Sequence, residues 1–207
     1  MKSLKFKRLS ILSTTEEKGG YYEFGENLNL ITSDSNSYGK SAIIKMLLWT
    51  LGCEPFFDDD WKNLKCKSIV SFTILETTFT FQRILNSVWI QVNDNSVEFY
   101  DKITGDYSSR FAEIVNFPAL LPSYSNRLEV PPPAYYFTPF YIEQWKGWVS
   151  SFINFENLTQ YPNWEKPIIQ THVGILKKEY YDLEIKINEK KFEKENQKNM
   201  LISMILR

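Results

Sequence analysis

The sequence predicts an α/β domain that carries a phosphate-binding loop, an antiparallel β-meander and a terminal helical arm. Three observations predict it. Residues 27–52, NLNLITSDSNSYGKSAIIKMLLWTLG, run from an alternating segment through a polar loop into a stretch of helical periodicity that opens at Gly39-Lys40-Ser41. Short β-like runs separated by turn residues follow as far as Tyr100. From Val173 onward there is no Pro, Gly174 is the only Gly, and apolar residues recur at 4-3-4 spacing.

The chain opens with LKFKRLSIL, where apolar and basic residues alternate. That reads as a half-buried strand with Lys5, Lys7 and Arg8 toward the wetter side. YYEF and NLNLIT read as further strands, punctuated by Gly19-Gly20 and Gly25. In the next segment Ile43, Ile44, Leu47, Leu48 and Leu51 form the stripe of a buried helix. Gly52 then stands where a helix takes its left-handed C′ residue. SIVSFTIL, TFTFQRIL, SVWIQVN and SVEFY are short β runs, with turn residues such as Asp94-Asn95 between them.

Residues 106–172 are looser. Ser108 to Val115 reads as a short helix. PPPAYYF is read as unable to begin a helix because of its prolines, and FTPFYIEQ as an extended segment running into a turn. The arm, residues 173–207, places Leu176, Tyr180, Leu183 and Ile187 on one seam. Lys190, Lys194 and Gln197 interrupt it, and Leu201 and Met204 resume it. Asp182 and Lys186 form a supportive i,i+4 pair. A helix of this length spans about 45 Å, longer than the body can cover, so a coiled-coil arm is favoured over a packed surface helix. The sequence stops at ISMILR without a helix stop signal, which points to a cut within a longer polypeptide.

The loop 34–41 carries the chemistry. A phosphate-binding turn must present successive backbone N–H groups, and the start of a helix adds its unpaired donors and dipole. Asn36, Ser37, Tyr38, Gly39, Lys40, Ser41 and Ala42 are the candidate nucleotide-binding residues. Lys40 suits the β- and γ-phosphates of ATP, Ser41 suits Mg²⁺, and Gly39 allows close backbone approach. Asp34 stands where G-x-x-x-x-G-K-[ST] has its first glycine. Asp tolerates left-handed backbone, so the turn remains open to it provided that the carboxylate points away from the phosphates.

On these residues the chain resembles the N-terminal lobe of SMC-like ATPases with ABC-type heads, a group that includes DNA-repair, recombination and anti-phage ATPases. Their loop commonly reads G-x-N-G-x-G-K-S/T. Asn36, Gly39, Lys40 and Ser41 match it, while Asp34 and Ser37 replace glycines. The basic first strand, the strand before the loop, the meander with Arg83 near a strand end, and the closing helix stand in the family's order. The resemblance implies that FYIEQWKGW is the Q-loop, a strand ending in a glutamine. Gln144 would then be the catalytic glutamine, contacting Mg²⁺ or the attacking water and sharing the metal with Ser41. A surface glutamine after a buried strand is the bland alternative, as a solvated strand-end charge is for Arg83.

The resemblance also implies partners. ATP would lie between two heads of a homodimer, and DNA would be the macromolecular substrate. A carboxylate pair for general base catalysis and an LSGGQ-like signature are both missing here, so a C-terminal lobe on the same or a separate chain would have to supply them. Asp58-Asp59-Asp60 follows only Phe56-Phe57 and reads as a turn or helix cap; Glu76 sits in a hairpin. Residues 1–172 are then the head lobe, and this chain alone would bind nucleotide weakly if at all and turn it over poorly.

Composition excludes other classes. The net charge of −1 supplies no global field for nucleic acid, although Lys2, Lys5, Lys7 and Arg8 could meet phosphate as readily as water. Cys53 and Cys66 lack ligand spacing, and no apolar run reaches the roughly 20 residues of a membrane span. A cytoplasmic protein with free thiols is expected. His172 is the only histidine and has no nucleophile near it in sequence. Tyr135, Tyr136, Phe137, Phe140, Tyr141, Trp145 and Trp148 suit either base stacking or a core beneath the Q-loop. A non-hydrolysing structural protein with a vestigial loop, and a small P-loop kinase or GTPase, are the competing functional classes.

Overall fold

A computed structural model of the 207-residue chain describes residues 3–34, 39–144, 147, 149 and 151–205. Asn36, Ser37, Tyr38, Trp145 and Trp148 lie outside the described residues. The central element is a six-stranded antiparallel sheet in the order β2-β1-β3-β4-β5-β6. Its strands are β1 (Leu4–Ser13), β2 (Lys18–Glu23), β3 (Cys66–Ile74), β4 (Thr77–Ile84), β5 (Ser87–Val92) and β6 (Glu98–Tyr100). Strands β3 to β6 form the expected meander, and Glu76 falls in its first tight turn, between partners Ile74 and Thr77. The register of β1 on β3 shifts between Phe6 and Arg8. That irregularity lets Lys5 and Arg8 both face solvent, while Lys7 is half-buried.

Helix α1 (Lys40–Thr50) packs across β3 and β4. Met46, Leu47, Leu48 and Leu51 are buried against Val70, Phe72, Phe81 and Ile90, so the helix is apolar on most sides. Its end is a Schellman motif: Gly52 N–H donates to the Trp49 carbonyl (2.9 Å) and Cys53 N–H to the Leu48 carbonyl (3.1 Å). Gly52 has φ 89°, and a Cβ there would lie 2.7 Å from the Tyr107 ring, so glycine is required. Helix α2 (Asp59–Asn63) is capped by Asp58, which accepts from Trp61 N–H at 2.8 Å. The acidic run is thus a helix cap.

Helix α3 (Asp106–Val115), the small hairpin β7 (Leu121–Pro122) and β8 (Leu128–Glu129), helix α4 (Pro133–Phe137), and helix α5 (Glu165–His172) complete the body. Of the described aromatic residues of the 135–141 cluster, Tyr135, Tyr136 and Phe137 are buried core and Tyr141 is half-buried, while Phe140 is 64% exposed. His172 packs against Phe117, Tyr136 and Phe140. Gly174 turns the chain with φ 76°, and helix α6 (Lys178–Ile205) follows. Among the described residues no helix is long and apolar enough to cross a membrane.

Several expectations are corrected. NLNLIT forms no strand; Leu28 and Leu30 are 94% and 85% exposed. Alternation describes a strand's faces but names no partner, and no described strand lies beside this segment to complete a ladder. PPPAYYF does start a helix: Pro133 occupies the first turn of α4, where the missing N–H costs nothing. No strand precedes Gln144; Tyr141 N–H turns back to the Phe137 carbonyl (3.1 Å), and the chain then runs irregularly. On the arm it is Tyr181, 3% exposed, that packs on the body, its hydroxyl bonded to Thr171 Oγ1 at 2.6 Å. Tyr180, Leu183 and Ile187 remain 42–58% exposed. Among the described residues the arm carries the ion pair Lys190–Glu193 (2.8 Å) rather than Asp182–Lys186.

Arg83 is not a solvated charge. Its guanidinium, 1% exposed, donates to the carbonyls of Trp49 (2.7 Å) and Cys53 (3.0 Å), pairs with Glu54, and stacks over the Trp49 ring. It closes the C-terminal end of α1, where exposed carbonyls favour a cation.

Candidate functional site

The site is built where α1 begins. Gly39 is the residue before the helix and takes the left-handed conformation (φ 72°, ψ 17°). Its carbonyl accepts from Ala42 N–H (3.0 Å) and Ile43 N–H (3.2 Å). A helix leaves its first N–H groups without partners of its own, and no side chain among the described residues caps this one. Asp34 does not figure among the described residues with positive φ, and its side chain is exposed. Among the described residues of this loop, Gly39 takes the left-handed conformation.

Lys40 turns back across the loop, its Nζ donating to Ser33 Oγ at 2.9 Å. Ser41, in the first turn, donates from Oγ to Gln144 Oε1 at 3.3 Å, and both side chains are exposed. The fold thus brings together Lys40, Ser41 and Gln144, residues 103 positions apart in the last case. Asn36, Ser37 and Tyr38 lie outside the described residues; Ala42 is buried behind the loop and offers only its backbone.

Two site residues were missed by sequence reasoning. Lys45 Nζ lies 3.2 Å from Glu143 Oε1, with the carboxylate side chain only 4% exposed. A lysine inside an otherwise apolar helix, four residues after Ser41, was the available signal. Nearby, burial and the Glu143 charge push the Tyr141 hydroxyl well above its usual range, so the phenol stays neutral.

The donor set fits a Mg²⁺ ion held chiefly by phosphates and water. Ser41 hydroxyl and Gln144 amide oxygen are hard, neutral ligands, and Mg²⁺ commonly takes one or two protein oxygens at nucleotide sites. A cleft of about 800 Å³ opens beside the site, lined by Phe6, Phe24, Ile31, Ile44, Tyr136 and Phe140 among others. It runs along the exposed segment 25–31.

The chain is similar to the Lamassu protein LmuB of Bacillus cereus (strain VD014), with 28% identity over 193 residues. The match covers 92% of this chain and 33% of that protein, so the chain spans about a third of the length of this relative. No family model matches the chain.

Proposed function

We infer that this chain is the ATP-binding part of an SMC-like ATPase of the anti-phage kind, with an ABC-type head whose hydrolysis needs a complementary lobe and head pairing. The observation that carries the reading is the convergence of Lys40, Ser41 and Gln144 at the N-terminus of an apolar helix. The similarity to the Lamassu protein LmuB favours the defence branch of the group that the sequence resembles.

The residues have separable roles. The backbone from Gly39 to Ser41 and the N-terminus of α1 bind phosphate oxygens. Lys40 exchanges Ser33 Oγ for the β- and γ-phosphates. Ser41 and Gln144 hold the divalent cation, and Gln144 orients the attacking water, since an amide both donates and accepts without titrating. A Mg²⁺ ion held there by Ser41 and Gln144 would supply charge neutralisation for the transferring phosphoryl group.

The exposed Leu28 and Leu30 and the apolar cleft beside them are the surface on which the complementary lobe docks. Exposed alternating residues next to a cleft offer both a ladder edge and a core to share. The Leu183–Ile187 face of α6, without a partner among the described residues, takes the returning helix of a coiled coil, and Lys186 and Lys191 beside that seam meet DNA phosphate. Mixing the chain with the complementary lobe and assaying phosphate release tests the reading. Turnover that appears only in the mixture and vanishes with Lys40→Ala supports it. A mixture with no Lys40-dependent turnover favours a non-hydrolysing structural role, and turnover by the chain alone favours a small self-sufficient NTPase.

A further inference from the structure

Ser41 and Lys45 are four residues apart on α1 and therefore share a face, one turn apart. They meet consecutive residues of the facing loop: Ser41 meets Gln144 at 3.3 Å, and Lys45 meets Glu143 at 3.2 Å. The first contact is exposed. The second is enclosed, with side-chain exposures of 17% for Lys45 and 4% for Glu143.

Glu143 is held at every other polar group described for it. Its N–H donates to Asn154 Oδ1 (3.4 Å), and its carbonyl accepts from Gly147 N–H (3.1 Å). Asn154 is fixed in turn by donating to the Thr138 carbonyl at 2.9 Å. A Cβ on Gly147 would fall 2.5 Å from the Glu143 carbonyl oxygen, so only glycine lets the turn close on this residue. Lys45 is anchored on its other side by donating to the Phe56 carbonyl at 2.7 Å.

A buried ion pair contributes little net stability, because desolvation offsets most of the attraction, and apolar residues of equal volume would hold two elements together as well. Apolar contacts, however, do not fix the sliding register of a loop along a helix as a directional pair does. A one-residue slip would carry Gln144 away from Ser41.

We propose that the Lys45–Glu143 pair is a positioning element that sets the register of the loop on α1 and so keeps the Gln144 amide oxygen beside Ser41 as a shared divalent-cation site. The proposal rests on the nucleotide reading above and adds to it two residues that act through Gln144.

The test titrates the full chain with ATP, once with Mn²⁺ and once in EDTA. Bound Mn²⁺ is read by its EPR signal and ATP by calorimetry. Lys45→Met and Glu143→Gln should each weaken Mn²⁺ retention about tenfold or more, as loss of outer-shell partners does at metal sites. ATP affinity in EDTA should change by less than about twofold, and Lys45→Arg should restore Mn²⁺ retention. Gln144→Ala should give the same loss, and adding it to Lys45→Met should cost nothing more, because both act on one contact. Lys45→Met with Glu143→Met leaves no lone buried charge, so it reports even where a single variant does not fold. Wild-type Mn²⁺ retention in that double variant, or losses that multiply with Gln144→Ala, would overturn the proposal. Lys40→Ala separates the two layers. If it binds ATP as the wild type does, or if the wild type binds none, the nucleotide reading falls and the proposal with it. If Lys40→Ala alone loses ATP while the pair variants keep Mn²⁺, only the positioning role falls.

Discussion

The Arg83 guanidinium lies 4.3 Å from the centre of the Trp49 ring while one of its nitrogens donates to the Trp49 backbone carbonyl at 2.7 Å. One side chain of β4 thus grips the last turn of α1 by ring face and by backbone, and also holds the Cys53 carbonyl and Glu54. The helix that presents Lys40 and Ser41 is thereby fixed at its far end. Arg83→Met should destabilise the chain by about 3–5 kcal/mol, the usual cost of removing one partner of a buried charged network. Arg83→Lys should recover little, because an ammonium cannot make the forked set of bonds. Urea denaturation measures both; a loss under about 1 kcal/mol in either variant would show that the cap does not matter.

His172 gives a pH prediction. Neither ring nitrogen makes a well-formed hydrogen bond among the described residues, and burial among Phe117, Tyr136 and Phe140, only partly opposed by the nearby Tyr135 and Tyr136 backbone, pushes its pKa down from 6.5 to about 4. The sign follows from linkage. Between these values the unfolded chain binds a proton that the folded chain refuses, so stability is full above about 6.5 and declines as pH falls toward 4. Comparison of His172→Phe with the wild type isolates this residue from the carboxylates, which titrate in both. The wild type should lose more stability than the variant between pH 7 and pH 4.5; parallel curves would contradict the assignment.

The segment around Leu28 and Leu30 should matter for association and not for stability. Both side chains are largely exposed, so Leu28→Lys with Leu30→Lys should change the unfolding free energy by no more than about 0.5 kcal/mol per site. The same variant should fail to associate with the complementary lobe in sedimentation velocity. Undiminished association would remove this surface from the proposed interface.

Much of the fold was legible where the physics is local. The start of α1 at Lys40, the glycine cap at Gly52 and the Asp58 cap are each set by a few adjacent residues. What was missed depends on distant partners. Leu28 and Leu30 alternate as a strand does, but a strand also needs a neighbour, and that neighbour is not encoded in the alternation. Arg83 reads as a strand-end charge until Trp49, Cys53 and Glu54 surround it. Pro133 was misjudged because proline breaks a helix interior but suits its first turn. At the site, Gln144 was reached through the family's motif order. Lys45 and Glu143 leave only a faint mark, a charge on an apolar helix and a carboxylate beside a glutamine, and their pairing appears only in three dimensions.

The central claim is that Gly39, Lys40 and Ser41 hold a polyphosphate with a divalent cation. It is tested most directly by thermal unfolding of the chain with and without ATP and Mg²⁺, in the wild type and in Lys40→Ala. At tenfold excess over Kd, binding contributes about 1.4 kcal/mol, which for a chain of this size raises Tm by about 3–5 °C. The account predicts that rise in the wild type and none in Lys40→Ala; an equal rise in both, or none in either at millimolar ATP, would contradict it.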